Sequence, residues 1–260
     1  MLRVLKALPL GLAIVALIVC AAFAASCGSS TTQARFVNAI EDSKTGLDFE
    51  VNGVRDFTDL LFLSFQPTSG YATIPAGNDM VVALATGTTT PPVFSQTISL
   101  NSGVQYTLVA AGPLSGSVDI MNPVDNNTEP ADGSVNFRVI NASSFGPTGS
   151  GGAVDVYILP NPSPCSPGST GCTPTVSALA YTDTSSYITL PYNSEGNGWT
   201  LIVTVAGNPT PYFTDSIGGF GSSTLGAICT LVLTDIQDGS AMNKNPLVFQ
   251  DLNASGCAVN

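Results

Sequence analysis

Arg35-Phe36-Val37-Asn38-Ala39, near the start of the chain, returns as Arg138-Val139-Ile140-Asn141-Ala142. The echo continues in order. Leu47-Asp48-Phe49-Glu50-Val51 is matched by Val154-Asp155-Val156-Tyr157-Ile158. Phe65 with Ser69-Gly70-Tyr71-Ala72-Thr73-Ile74-Pro75 is matched by Tyr181 with Ser185-Ser186-Tyr187-Ile188-Thr189-Leu190-Pro191, and Tyr106-Thr107-Leu108-Val109 by Cys229-Thr230-Leu231-Val232. The offset between partners grows from 103 to 123 residues along the chain, so the two copies share a scaffold and differ by insertions in loops.

Outward from these segments, each copy is a series of short runs rich in Val, Ile, Leu, Thr and aromatics, separated by Gly, Pro, Asn, Asp and Ser. In the first copy the runs fall near residues 35–40, 47–54, 60–65, 70–75, 79–86, 93–99, 105–111 and 117–121. Turn signals every 8–12 residues or so are the mark of an antiparallel sandwich. No window past residue 26 carries helical periodicity; residues 56–65 could hold one helical turn but read more easily as strand. The expected fold is all-β: two tandem immunoglobulin-like antiparallel β-sandwich domains after an N-terminal signal segment. Their expected extents are 34–122 and 134–260, joined by a polar linker over 123–133.

Composition narrows the chemistry. Seven Lys plus Arg against eighteen Asp plus Glu give a net charge of −11, leaving no basic face for phosphates and arguing against nucleic acid as a partner. The absence of His removes His-based metal sites and the usual general base. Asp48 and Glu50 lie two apart and share a strand face, which would suit acid/base work, but only Asp48 has a counterpart, Asp155; edge charges that oppose strand-to-strand aggregation explain the pair as well. G-x-S-x-G, G-x-x-x-x-G-K and S-x-x-K patterns are missing, and Gly218-Gly219-Phe220-Gly221 reads as a flexible loop. The expectation is a protein that is not an enzyme and carries no cofactor.

Residues 1–26 read as an export signal, with Arg3 and Lys6 ahead of the apolar run Leu8–Ala25; that run is also long enough to span a bilayer uncleaved. Its end, Phe23-Ala24-Ala25-Ser26-Cys27-Gly28, resembles a bacterial lipobox, with Ala24 where Leu is usual. The resemblance implies acylation of Cys27 and a flexible stalk over 27–33; cleavage after Ala24 and plain secretion is the competing outcome. Loss of Arg3 and Lys6 takes the net charge from −11 to −13, so acyl chains, not headgroup attraction, must hold the protein to a membrane.

The stretches 35–39, 47–53, 71–77 with Ile74-Pro75-Ala76-Gly77, and 103–112 with Tyr106-Thr107-Leu108-Val109-Ala110-Ala111-Gly112 resemble the domain-of-unknown-function family 4397. The resemblance implies bacterial cell-envelope domains of immunoglobulin-like fold, often in tandem. It also marks a departure: family members often carry His where this chain has Asn38 and Asn141.

Several residues are candidates for a site. Cys165 and Cys172 close a short loop and Cys229 and Cys257 would staple the last strand; four cysteines allow three pairings, and this one is favoured in an exported chain. Asp125, Glu129 and Asp132 in the linker are weak calcium ligands, with a spacing unlike an EF-hand. Tyr192 and Tyr212, with Asn193, Glu195 and Asn197 nearby, are candidate sugar-stacking residues, whereas Trp199, Tyr181 and Tyr187 read as packing positions. Arg35 and Arg138 occupy equivalent positions although basic residues are scarce, and each is expected to tie a strand end to a loop carboxylate or carbonyl, a ligand carboxylate being the alternative. The function expected is a lipid-anchored envelope or surface module that presents two sandwiches to a protein or glycan partner; a carbohydrate-binding module or a plain spacer are the alternatives.

Overall fold

A computed structural model describes residues 30–149, 151–191, 198–217, 226–236, 241–244 and 246–252. The signal segment and Cys27, Tyr192 and its polar neighbours, the loop at Gly218 and Cys257 lie outside the described residues. Every regular element among those described is a strand.

The first half contains β1 (Thr31–Ala39), β2 (Leu47–Val51), β3 (Val54–Leu60), β4 (Ser64–Gln66), β5 (Ala72–Pro75), β6 (Gly77–Ala85), β7 (Phe94–Leu100), β8 (Gln105–Ala111) and β9 (Asp119–Met121). The second contains β10 (Ser134–Asn141), β11 (Val154–Pro160), β12 (Val176–Leu179), β13 (Ile188–Pro191), β14 (Trp199–Val205), β15 (Pro211–Ile217), β16 (Ile228–Leu233) and β17 (Leu247–Leu252). Four sheets result, ordered β3-β2-β6-β7 and β4-β1-β8-β9 in the first half, with β5 also on β1, then β13-β10-β16-β17 and β12-β11-β14-β15 in the second. No sheet mixes strands of the two halves. The expected all-β sandwich architecture is present, but not every pair is antiparallel: β1 runs parallel to β8, and β10 parallel to β16, in equivalent registers that place Arg35 beside Thr107 and Arg138 beside Thr230.

Side-chain alternation explains why the repeated segments are so apolar. In β1, Ala34 and Phe36 face a core inside the first half, where the Phe36 ring stacks on Phe49 at 4.0 Å and lies 5.4 Å from Phe57. Val37 and Ala39 point the opposite way, into a third apolar layer with Val109, Ala111, Ile140, Ala142, Val232 and Phe249. β10 repeats the arrangement: Val135, Phe137 and Val139 face the second half's own core, while Ile140 faces the shared layer. The central sheet of each half is therefore covered on both faces, which is the condition that turns strict alternation into a near-continuous hydrophobic run.

Four boundaries differ from expectation. β1 begins at Thr31, which pairs with Pro75, so residues 31–33 belong to the sheet and not to a stalk. The run near 47–54 is a hairpin, β2 to β3, turning at Asn52-Gly53 with φ of 51° and 78°, the left-handed pair that a tight two-residue loop requires. The run near 60–65 contributes only the three residues of β4. Finally, the stretch after Asn122 is not a free linker at its start: Val124 bridges to Tyr106, and the Asp125 amide donates to the Gln105 carbonyl at 2.8 Å.

Candidate functional site

The polar groups with the most constrained geometry lie between the two halves. Arg35 and Arg138 are each 1% exposed, far below what is usual for arginine. Each is neutralised by an aspartate of the opposite half. Arg138 Nη1 lies 2.7 Å from Asp125 Oδ1, and Arg35 Nη1 lies 3.4 Å from Asp251 Oδ1. Each also donates to a carbonyl next to or on that carboxylate's residue, Arg138 to Val124 at 3.2 Å and Arg35 to Asp251 at 3.1 Å. The expected carboxylate and carbonyl acceptors are thus present for both, but the tie is not from a strand end to a loop: both arginines sit mid-strand and reach across the interface, Arg35 to an aspartate on β17.

The remaining partners follow the repeat. Thr107 and Tyr71 donate to Asp125 Oδ2 at 2.8 and 2.7 Å, and Thr230 and Tyr187 donate to Asp251 Oδ2 at 2.6 and 3.0 Å. Each guanidinium covers its own half's tyrosine, Arg35 over Tyr71 and Arg138 over Tyr187, both with 4.9 Å to the ring centroid. Arg35 stacks additionally on Phe65 and Phe249. Burial raises the Asp251 carboxyl above its ordinary range, with Arg138 and Arg35 acting against that rise; burial alone would lower the Arg138 guanidinium, and Asp125 and Asp251 reverse it. Tyr71 and Tyr187 are pushed up by burial and then by the carboxylates they serve, so both remain neutral donors. The repeat does not match these two aspartates to each other: the sequence marks Asp125 only as a calcium candidate and does not mark Asp251. Their offset, 126 residues, extends the rising series, but Pro123-Val124-Asp125 and Phe249-Gln250-Asp251 share nothing except the acid.

This geometry corrects the calcium expectation. Asp125 points into the interface and is committed to Arg138, while Glu129 and Asp132 are exposed; the three are not assembled, and no group of three or more His, Cys, Asp or Glu among the described residues is placed to hold a metal. Tyr212 is also committed. Its hydroxyl donates to the Met242 carbonyl at 2.8 Å, its ring packs on the second core, and Lys244 Nζ lies 5.4 Å from the ring centroid, so no open stacking face is formed there. A polar cleft of about 470 Å³ does open between the halves, lined by Gln96, Asp119, Asn122, Asp183 and Thr184 among others, without an aromatic ring.

Asp48 and Asp155 are not edge charges either. Each lies on a strand with neighbours on both sides and is nearly buried. Asp155 accepts the amides of Ala178 and Gly207, both at 2.8 Å; Asp48 accepts those of Asp59 at 2.8 Å and Gly87 at 3.0 Å. All four donors have positive φ, so the carboxylates hold an irregular strand and a hairpin turn in each half. Arg55 adds ion pairs to Asp48 at 2.8 Å and to Glu50 at 3.2 Å, which binds up the only carboxylate pair that suggested acid/base chemistry. Asp155→Ala is expected to cost about 2–3 kcal/mol in urea denaturation, since two amides lose a charged acceptor, and Asp155→Asn about half as much. A loss below about 0.5 kcal/mol for the alanine variant would remove the clamp role.

Cys165 and Cys172 form the expected disulfide, with Cα atoms 5.8 Å apart. Cys229 is fully buried on β16 and does not carry a free thiol; its expected partner Cys257 lies outside the described residues. Asn38 and Asn141 play one role twice: each side-chain amide donates to a carbonyl, Leu60 at 2.9 Å or Leu179 at 3.0 Å, and its oxygen accepts the amide two residues on.

Residues 32–157 match a family described as "Domain of unknown function (DUF4397)", which supports the resemblance carried by the repeated motifs. The match crosses residues 123–133 and ends within β11, so it takes in the first half and the opening strands of the second. No curated protein matches. Among solved structures, the Bacillus anthracis TIE protein is similar at 13% identity and a TM-score of 0.23 over 79% of this chain and 33% of that one. A product complex of SpuA, a multi-modular glycogen-degrading pneumococcal virulence factor, gives 13% and 0.24 over 84% of this chain and 22% of that one. The chain thus spans a third or less of the proteins in those structures.

Proposed function

We propose that this chain is an exported, lipid-anchored envelope or surface protein without catalytic activity, whose two immunoglobulin-like sandwiches act as one rigid module for binding or adhesion to a protein or glycan. The observation that carries the reading is the exchanged pair of buried arginines and aspartates between the halves. Two sandwiches joined only by a polar linker would swing independently; an apolar layer with charges that must stay paired fixes their relative orientation, which suits presentation of loops and outer sheets at a set angle. The described charges best placed for chemistry, Arg35, Arg138, Asp48 and Asp155, are spent inside the fold. The lipobox-like end of the leader supports attachment through Cys27.

The test is fractionation of cells expressing the natural chain or Cys27→Ser, with intact mass of the extracted protein. The natural chain is expected in the membrane fraction with an acylated Cys27 at its N-terminus, and Cys27→Ser in the soluble fraction or as an uncleaved precursor. A natural chain that is soluble, unmodified and begins at Ala25 overturns the anchor.

A further inference from the structure

At one end of the shared layer, past the end of β1, Glu41 is fully buried against the second half. Its Oε2 has no hydrogen-bond partner among the described residues, and its Oε1 lies 3.5 Å from Ser144 Oγ. That hydroxyl is also 3.0 Å from Asp235 Oδ2. Asp235, likewise 0% exposed, is well provided for: it accepts the Ser144 and Phe145 amides at 2.7 and 3.1 Å and the Ser143 hydroxyl. The titratable groups facing Glu41 are Asp235 from the end of β16, Tyr181 from the loop after β12 with Asp119 beside it, and Asp42 on its own segment. None of the ion pairs among the described residues reaches Glu41 or Asp235.

Ser144 has one hydroxyl proton and two carboxyl claimants. With Glu41 neutral, a consistent chain forms: the Glu41 carboxyl donates to Ser144 Oγ, and Ser144 donates to Asp235, whose own upward push from burial is opposed by the Ser143 and Ser144 hydroxyls and the Phe145 and Ser144 amides, donors that, Ser144 Oγ apart, Glu41 lacks. With Glu41 ionised, the proton can serve only one carboxylate, and two negative charges face each other in a space without a counter-ion pair. We propose that Glu41, Ser144 and Asp235 form a pH-sensitive latch between the two sandwiches, closed while Glu41 is neutral and loosened when it ionises.

The direction of the response follows from linkage. Burial first, opposed by its own backbone amide, then Asp235 and Asp42 raise the Glu41 carboxyl to about 7, from 4.5 for the free side chain. A carboxyl raised in the closed state favours closure below its ordinary pKa, and that advantage is lost as pH rises from about 4.5 to about 7, after which it stays constant. The shift sets a ceiling of roughly 100-fold or a few times more on the change in the closed-to-open ratio.

Amide hydrogen exchange of the full chain tests this, corrected for intrinsic exchange, at pH 5.5 and pH 8, on wild type and Glu41→Gln. Protection at Ser144 and Phe145 is expected to fall by about 10-fold or more in wild type and to stay level in Glu41→Gln, which supplies a neutral donor of the same shape. Parallel behaviour of the two proteins overturns the latch. If Glu41→Gln does not fold, the carboxyl-carbon NMR titration of wild type decides: a Glu41 midpoint near 7 supports the proposal, and one in the ordinary carboxylate range sinks it.

Discussion

Replacing Arg138 by Met is expected to lower the stability of the chain by about 3–5 kcal/mol, read as a drop in urea midpoint or as roughly 10 °C in melting temperature. The loss comes less from the attraction removed than from what stays behind. Asp125, 2.7 Å from Arg138, would lose its one ion-pair partner in a buried site and keep only the Thr107 and Tyr71 hydroxyls, while Asp251, 3.5 Å away, would be left with Arg35 and its own hydroxyl donors. The network therefore predicts rescue. Adding Asp125→Asn to Arg138→Met removes the stranded charge and should recover about half of the loss, whereas Asp125→Asn alone should destabilise because it leaves Arg138 short of its closest carboxylate. Additive losses would mean that the two residues act independently, and an unchanged melting temperature for Arg138→Met with loss of binding to a partner would make the arginine a ligand residue instead of a structural one. A buried ion pair is poor evidence for net stability, since apolar replacements of both partners are often neutral. What it supplies here is orientation: two apolar faces can slide, but two exchanged pairs about a repeated interface cannot.

Much of this was legible in the repeat itself. The alternating runs gave the all-β class, and the matched arginines, with so few basic residues in the chain, marked positions under a common demand. The kind of partner followed too, a carboxylate or carbonyl acceptor for each guanidinium, but neither the burial of the two arginines nor their reach across the interface did. What stayed hidden has physical reasons. Asn52-Gly53 is the strongest short hairpin signal in the first half, yet Val51 and Val54 flank it with apolar residues, so 47–54 read as one run and most of β3 fell between that run and the next. Val37 and Ala39 make the second face of β1 apolar as well, which signals a covered face, but nothing in the pattern says that what covers it is another copy of the same sheet. Asp125 was legible as an acid in a polar stretch but not as a buried one, because burial there depends on Tyr106 and Gln105 capturing the backbone beside it. Asp48 and Asp155 were aligned correctly, while the two amides each one holds come from positions 11 to 52 residues away, beyond the reach of a local pattern.

Trp199→Ala is expected to cost about 3–5 kcal/mol, and the reason lies in how differently the two halves fill the same volume. In the first half the core centres on Phe36, Phe49 and Phe57. The repeat replaces Phe36 with Val139 and Phe49 with Val156, and compensates by placing Phe137 where the first half has Ala34. Volume lost on one pair of strands is thus restored two residues along and on β14, where Trp199, 2% exposed, meets Phe137 edge-on with centroids 5.2 Å apart. Val135, Leu201 and Ile217 belong to the same cluster, so truncation would open a cavity that β-branched and leucine neighbours on paired strands cannot close. Circular dichroism in urea should show the loss, because the variant lacks the chain's one Trp. In the natural protein the emission of that Trp should be blue-shifted and protected from iodide, and it should report the unfolding of the second core. A loss under about 1 kcal/mol, together with loss of glycan binding, would return Trp199 to the surface as part of a sugar platform. The packing argument predicts the opposite: the second half unfolds more easily, and any ligand that binds the folded protein is affected only through the fraction that remains folded.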